Sequence, residues 1–170
     1  MAKLIWITGL SGSGKTTLGK ELYTRLKAKY ANYVFLDGDS FRAILGDDLK
    51  HTPNDRFANA MRIHRMCLFL ISQEINVVCA TMSLYKEIHE LNRNTIKDYF
   101  EVFIECSIEE LIKRDQKGLY TEALRGDRND VVGINLPFDK PEYCDLMIQN
   151  SEKNNLQLKV EKILNLVGES

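Results

Sequence analysis

The residues best suited to chemistry lie near the start of the chain, where positions 9–16 read GLSGSGKT. This run matches the phosphate-binding pattern G-x-x-x-x-G-K-[ST], in which successive backbone N–H groups point inward at the phosphates and glycines adopt unusual φ angles. Lys15 would reach the β- and γ-phosphates, and the Thr16 hydroxyl would bind Mg²⁺. The residues expected to contact the phosphates of a nucleoside triphosphate are Gly9, Ser11, Gly12, Ser13, Gly14, Lys15, Thr16 and Thr17.

The surroundings of this loop decide between a phosphate site and a glycine-rich surface turn. The apolar run 4–7 precedes it and is typical of a buried strand, whereas 18–23 favours a helix. A helix that begins near Lys15 would direct its positive N-terminal end at the phosphates. The strand–loop–helix context therefore favours the phosphate site.

A second motif, Leu36-Asp37-Gly38-Asp39, closes another apolar run. Two aspartates around a glycine could simply form a turn and cap the helix that begins near Ser40. In a phosphoryl-transfer site, one carboxylate can hold Mg²⁺ and another can accept the proton of a substrate hydroxyl. Arg42, one turn into the next helix, is expected to face an anionic acceptor.

Strand-length apolar runs alternate with helical patterns along the chain, which predicts an α/β fold of three layers, with helices on both faces of a five-stranded parallel sheet. In such a sheet the ligands bind at the carboxyl ends of the strands. The predicted strands are 3–8, 33–37, 77–81, 100–106 and 145–149, and the predicted helices are 15–30, 40–45, 54–74, 85–98, 108–115 and 156–167.

The segment 113–132 interrupts this alternation, and nine of the eighteen residues in 113–130 are charged. It could be a solvated loop or a mobile lid that excludes water from the phosphates, so that ATP is not hydrolysed. The lid cations that could approach the transferring phosphoryl group are Arg114, Lys117, Arg125 and Arg128.

Length and composition limit the classes of protein to be considered. A chain of 170 residues predicts one domain, residues 1–170, and a net charge of −1 gives no field that would favour nucleic acid or membrane. No run of eighteen apolar residues occurs, so neither a signal peptide nor a transmembrane segment is predicted. The four cysteines form no C-x-x-C pair and are expected to be reduced, in a cytoplasmic protein.

Four motifs occur together in the order found in adenylylsulfate kinases: the phosphate loop, the Leu36–Asp39 motif, a D-R-x-x-N string at 55–59 and R-D-Q-K-G-L-Y at 114–120. Over residues 3 to 150 the chain resembles this family of P-loop kinases, which use ATP to phosphorylate the ribose 3′-hydroxyl of adenylyl sulfate. The resemblance implies ATP and Mg²⁺ as cofactors, Asp37 at the metal and Asp39 as the base. The acceptor would contact Asp39, Arg42, His51, Arg56, Asn59, Ser83, Tyr85, Lys117 and Val131.

Departures from the family pattern fall on the acceptor side. His51 and Val131 stand where the family has the two phenylalanines that cover the faces of the acceptor adenine, and Lys86 and His89 replace arginines. Such changes could be drift, or they could mark a smaller base and an acidic group other than sulfate. The chain resembles the branch that phosphorylates cytidine diphosphoramidate in capsular phosphoramidate biosynthesis.

A kinase acting on the 3′-hydroxyl of a small nucleotide is therefore the leading hypothesis, with adenylyl sulfate as the alternative acceptor. A nucleotide-operated switch would need an N-K-x-D motif, and the chain has Asn92-Arg93-Asn94-Thr95 instead. A non-catalytic nucleotide-binding protein would not require the lysine, threonine and aspartates described above. Homodimers are common in this family, so a homodimer is a further possibility.

Overall fold

All five predicted strands form, and they lie side by side in one parallel sheet with the order β2-β3-β1-β4-β5. The computed structural model describes residues 2–46, 48–115, 117–152 and 154–169; Gln116, within the predicted lid, lies outside them. The elements in chain order are β1 (Leu4–Thr8), α1 (Lys15–Lys29), β2 (Tyr33–Asp37), α2 (Gly38–Leu45), α3 (Pro53–Ser72), β3 (Asn76–Ala80), α4 (Lys86–Thr95), β4 (Tyr99–Glu105), α5 (Ile108–Arg114), α6 (Leu119–Arg125), β5 (Leu146–Gln149) and α7 (Leu156–Leu166).

Helices cover both faces of the sheet, which explains why the strands are continuously apolar. On one face, Ile5 and Ile7 of β1 belong to a core cluster with side chains of α1 and α7. On the other face, Leu4 and Trp6 of the same strand pack in a cluster with α3 and α4. The four residues Leu4–Ile7 are fully buried, so the predicted three-layer α/β arrangement is confirmed.

The segment 113–132 is more ordered than a solvated loop. It contains the end of α5 and the whole of α6, which has a glycine with positive φ at either end. Tyr120, Ala123 and Val131 are buried in a third apolar cluster that also contains Leu10 of the phosphate loop. The segment therefore packs against the loop that it was predicted to cover, while its mobility stays a prediction.

The cysteines agree with the expected reduced state. All four are free: Cys67, Cys79 and Cys106 are buried, and Cys144 is half-buried. Within the described ranges, no helix is both long enough and apolar enough to cross a membrane.

Candidate active site

A cavity of about 820 Å³ opens at the carboxyl edge of the sheet, at the upper end of the size range of small-molecule sites. It is lined by all but three of the residues that the sequence predicts for the site. Of the three, Gly9 and Ser13 shape the phosphate loop itself. Arg125 is exposed at the end of α6, two residues beyond buried Ala123, and such a spacing turns a side chain to the opposite face of a helix.

The glycines of the phosphate loop are required by its backbone. Gly9 has φ +151°, and a Cβ there would lie 2.5 Å from the carbonyl oxygen of Ile104 in β4. Gly14 has φ +101°, and a Cβ there would collide with the amide of Asn150. The predicted unusual φ angles are confirmed, and any larger residue would force the loop away from the sheet.

Side chains hold the loop in this shape through its main-chain carbonyls. The carbonyl oxygens of residues 10–13 each accept a hydrogen bond from a different side chain. One loop N–H, that of Ser13, also donates to the Leu10 carbonyl at 3.1 Å, and the other N–H groups of the loop are the candidates for phosphate oxygens. The donors, in carbonyl order, are Lys15 Nζ (2.8 Å), Tyr120 Oη (2.7 Å), Arg114 Nη1 (3.3 Å) and Asn150 Nδ2 (2.6 Å).

Three of these donors bear on the sequence predictions. Tyr120 lies in the R-D-Q-K-G-L-Y string and Asn150 directly follows β5, but neither was predicted as a site residue. Arg114 was predicted as a phosphoryl-binding cation. Its guanidinium also donates to the carbonyl of Ser151 (3.0 Å) and its side chain is only 3% exposed, so it supports the loop. A direct contact between Arg114 and the phosphoryl group stays a prediction.

Asp37 makes a contact that bears on each interpretation of the second motif, the helix cap and the phosphoryl-transfer site. Its Oδ1 accepts a hydrogen bond from the Ser40 N–H at 3.0 Å and caps α2, while its Oδ2 accepts one from Thr16 Oγ1 at 2.8 Å. Burial alone would raise the pKa of Asp37, but the bonds from Ser40 and Thr16 outweigh it and hold that pKa below its usual value. A carboxylate and a hydroxyl in contact are oxygen ligands of the kind that suit Mg²⁺, which takes its other ligands from phosphates and water.

Asp39 and Lys117 meet across the cavity. Lys117 Nζ lies 2.5 Å from Asp39 Oδ2, and the two side chains are 59% and 80% exposed. An ion pair so open to water contributes little to stability. The ion pair does bring two predicted functional residues into contact. Asp39 is the predicted base on the first turn of α2, and Lys117 is the predicted lid cation between α5 and α6.

Lys15 is the cation closest to where the phosphates would bind. Burial within the loop lowers the pKa of Lys15 to about 8, and nearby Lys117 acts in the same direction, while Asp39 and Asp37 partly oppose it. The ammonium form therefore predominates below pH 8, and the neutral amine predominates above it.

This pKa predicts that ATP binding weakens in alkaline solution. If phosphates bind only to the ammonium form, the Mg·ATP dissociation constant should be flat below about pH 8 and rise about tenfold per pH unit above it. Calorimetric titrations from about pH 7 to 9.5 test this expectation. AMP is the control ligand because it lacks the β- and γ-phosphates that Lys15 would reach. An equal slope for AMP, or no slope for ATP, would contradict the prediction.

Two arginines organise the acceptor side of the cavity. Arg42 Nη1 donates to the carbonyls of Leu49 (2.9 Å) and Lys50 (2.7 Å), and so fixes the loop that precedes His51. Arg56 Nε donates to the His51 carbonyl at 2.8 Å, and its Nη2 donates to the Asp130 carbonyl at 2.9 Å.

The two contacts of Arg56 connect the positions that the family resemblance predicts to stack on the acceptor base. Asp130 is the neighbour of Val131, so one guanidinium ties the backbone beside Val131 to that of His51. Burial and the charges of Arg42 and Arg56 lower the pKa of His51, which favours the neutral form of its ring. A neutral ring can stack on a base or exchange hydrogen bonds with it.

The remaining wall comes from the segment after β3 and from a loop that the sequence did not identify. Ser83 is buried, with its hydroxyl 3.0 Å from that of Thr81, and Tyr85 packs edge-on against Phe57 with centroids 5.3 Å apart. Phe138 also lines the cavity, together with its neighbour Pro137. Phe138 supplies an aromatic ring to the cavity wall, and an isolated Pro-Phe pair in a polar loop was its only sequence signal.

Known proteins are similar to this chain in sequence and in fold. The sequence model of the family described as adenylylsulphate kinase matches residues 1–149. The cytidine diphosphoramidate kinase of Campylobacter jejuni is 48% identical, over 95% of this chain and 94% of that protein. The adenylyl-sulfate kinase of Staphylococcus epidermidis is 38% identical, over 98% of this chain and 84% of that protein.

A solved structure agrees with these sequence relatives. The APS kinase of Mycobacterium tuberculosis, in complex with AMPPNP and APS, superposes with a TM-score of 0.88 at 28% identity, covering 98% of each chain. The matched family model spans most of the chain, including the phosphate loop and both aspartates. The chain therefore belongs to the adenylylsulphate kinase family and is an ATP-dependent phosphotransferase with the P-loop kinase fold.

Proposed function

We propose that this enzyme transfers the γ-phosphoryl group of Mg·ATP to the ribose 3′-hydroxyl of cytidine diphosphoramidate, in capsular phosphoramidate biosynthesis. The observation that carries the proposal is the composition of the acceptor wall. By the family resemblance His51 and Val131 stand in place of two phenylalanines, and both line the cavity; the guanidinium of Arg56 bonds to the carbonyls of His51 and of Asp130, the neighbour of Val131. A wall without those rings suits a smaller base than adenine, and the relative named cytidine diphosphoramidate kinase supports this choice.

The residues of the cavity divide the reaction between them. Lys15 would reach the β- and γ-phosphates, while the N–H groups of the loop hold the phosphate chain in line with the acceptor. Asp39 would orient the 3′-hydroxyl and accept its proton as the oxygen attacks the γ-phosphorus. Mg²⁺, held beside Thr16 and Asp37, would neutralise charge on the phosphates. Lys117 Nζ lies 2.5 Å from Asp39, so its positive charge would lie near the negative charge that develops on the transferring phosphoryl group.

Adenylyl sulfate is the second candidate acceptor. The Staphylococcus epidermidis relative named adenylyl-sulfate kinase is 38% identical to this chain. In addition, Phe138 provides one aromatic ring on the cavity wall. If His51 and Val131 are tolerated drift, an adenine could still be held there.

The deciding experiment measures ADP release from Mg·ATP with cytidine diphosphoramidate and adenylyl sulfate as alternative acceptors, with phosphorus NMR of the products. A larger kcat/KM for the cytidine compound and a new 3′-phosphomonoester resonance are expected. A preference for adenylyl sulfate would place the enzyme in sulfate activation. ADP release that no acceptor stimulates would instead favour a non-catalytic nucleotide-binding role.

His51 offers a test of the base pocket. Replacing His51 with alanine should raise the KM of the acceptor by about tenfold, the scale of one lost stacking partner, while the KM of Mg·ATP stays unchanged. The backbone contact from Arg56 to the His51 carbonyl survives this change, so the wall keeps its shape. Steady-state kinetics with each substrate varied in turn give both constants.

The matched variant is His51→Phe, which restores the family residue. It should shift the ratio of kcat/KM values toward adenylyl sulfate relative to the cytidine acceptor. An acceptor KM that neither variant changes would remove His51 from the base pocket.

Further parts of the proposal concern the setting of the enzyme. We expect one kinase domain in which the segment 113–132 closes over the phosphates, a cytoplasmic location, and a homodimer. A small nucleotide is the expected partner molecule, with no role for nucleic acid or membrane.

A further inference from the structure

A buried acid–base pair lies directly behind the acceptor wall, where the proposed reaction does not use it. His89 of α4 places Nε2 2.7 Å from the carbonyl oxygen of Ser83, and its Nδ1 lies 3.2 Å from Oε1 of Glu101 in β4. The two side chains are 9% and 1% exposed. A buried ion pair is seldom a net source of stability, so a role other than stabilisation is expected for this buried glutamate.

The partners of the ring fix its protons. A carbonyl oxygen only accepts, so Nε2 carries the proton of the bond to Ser83. Nδ1 faces Oε1 of Glu101 within ion-pair distance, in a geometry short of a hydrogen bond. The pair thereby keeps Nε2 as a donor to the Ser83 carbonyl.

Other groups hold Glu101 in place. Its Oε2 accepts a hydrogen bond from the Tyr99 hydroxyl at 3.0 Å and lies 3.5 Å from Arg93 Nη2. Asp145 accepts a bond from the Glu101 N–H at 2.7 Å and also pairs with Arg93 at 3.1 Å. Tyr99 of β4 and Arg93 of α4 therefore hold the carboxylate of Glu101, while Asp145, the residue before β5, holds its backbone. The carboxylate is thus a fixed partner for His89.

The segment that receives this support is part of the acceptor wall. Residues 81–85 belong to no helix or strand and line the cavity, with Ser83 buried and its hydroxyl 3.0 Å from that of Thr81. A segment outside regular structure has no ladder of backbone hydrogen bonds, so bonds to its polar groups add to side-chain packing, such as that of Tyr85 on Phe57, in fixing its position. The bond from His89 Nε2 is such a contact at the centre of this segment.

We propose that the His89–Glu101 pair is a positioning device that holds the Ser83 carbonyl and thereby sets the segment 81–85 for the acceptor. His89 stands where the family resemblance places an arginine, but it faces inward, at the wall's backbone. The kinetic part of this inference rests on the proposed function, since it requires the acceptor to bind against this segment.

The test compares His89→Ala with the wild-type enzyme in two assays. The KM of whichever acceptor the wild type phosphorylates should rise about tenfold, the scale of one lost hydrogen bond, with the KM of Mg·ATP unchanged. Hydrogen–deuterium exchange should become faster in peptides that contain 81–85 and stay unchanged in the phosphate loop. If the alanine variant does not fold, His89→Leu keeps the volume and removes both N–H groups.

Variants of the partner add a rescue experiment. Glu101→Gln keeps a group that can donate to Nδ1 and so leaves Nε2 as the donor to Ser83, whereas Glu101→Ala does not. The acceptor KM should be close to that of the wild type in the first variant and raised in the second.

His64 is the matched control because it is also a buried histidine, 3% exposed, whose Nδ1 lies 2.7 Å from Asn92 Oδ1 on α4 instead of supporting a backbone carbonyl of the segment. His64→Ala should lower the melting temperature without changing the ratio of the two KM values. An equal rise of the acceptor KM in His64→Ala, or unchanged exchange at 81–85 in the His89 variant, would overturn the inference. If the wild type phosphorylates neither acceptor, the proposed function fails. The hydrogen–deuterium exchange experiment still tests whether His89 holds the segment 81–85.

Discussion

Replacing Lys15 with alanine is expected to lower kcat by about 10³-fold or more, the scale of removing a cation that stabilises a transferring phosphoryl group. Lys15 is the lysine of the phosphate loop, and its Nζ donates to the Leu10 carbonyl at 2.8 Å. Bound phosphates would take over that ammonium group. Acceptor-dependent ADP release at saturating Mg·ATP measures the effect on kcat.

Lys20 provides the control for this variant. It lies on the same helix, α1, with an exposed side chain, so Lys20→Ala should keep wild-type kinetics. Unfolding curves separate loss of chemistry from loss of structure, because three other side chains still hold the carbonyls of the loop. A Lys15→Ala enzyme that turns over within about tenfold of the wild type would exclude a charge-stabilising role for this lysine.

The sheet could be predicted from sequence because its signal is local. The central strands β1 and β3 are apolar runs largely buried on both faces, as in Leu4–Ile7, and such a run is evident without knowledge of its neighbours. Helix α6 was not predicted because it has only seven residues inside a charged, glycine-flanked segment. Its buried residues, Tyr120 and Ala123, acquire their meaning only from the apolar cluster that they join.

The site divides in the same way. Gly9–Thr16 and Asp37–Asp39 are contiguous motifs, so the phosphate loop could be predicted from spacing, and the family resemblance assigned roles to the two aspartates. The supports that fix them act across the chain: Tyr120 is 109 positions from Ser11, and Asn150 is 137 from Ser13. Their partners are main-chain carbonyls, which every residue possesses. No pattern of residue types marks such contacts, and the fold is needed to find them.

The second large effect is expected at Asp39. Asp39→Asn should reduce kcat by about 10²- to 10⁴-fold, the usual contribution of a general base, and should leave Mg·ATP binding largely intact. An amide has nearly the shape of the carboxylate but cannot take the proton of the 3′-hydroxyl. Single-turnover phosphoryl transfer and equilibrium titration with Mg·ATP measure the two quantities separately.

The contact with Lys117 gives this variant a second explanation that must be separated from the first. Asp39 could matter only because it holds the lysine at 2.5 Å, in which case Lys117→Ala would lose as much activity and the double variant no more. If Asp39 is the base, Asp39→Asn loses far more than Lys117→Ala, since the lysine removes no proton. A double-mutant cycle on kcat therefore assigns the role, because the pair is too exposed for its loss to unfold the protein. Near-wild-type turnover of Asp39→Asn would exclude Asp39 as the base and leave the hydroxyl to be activated by its position alone.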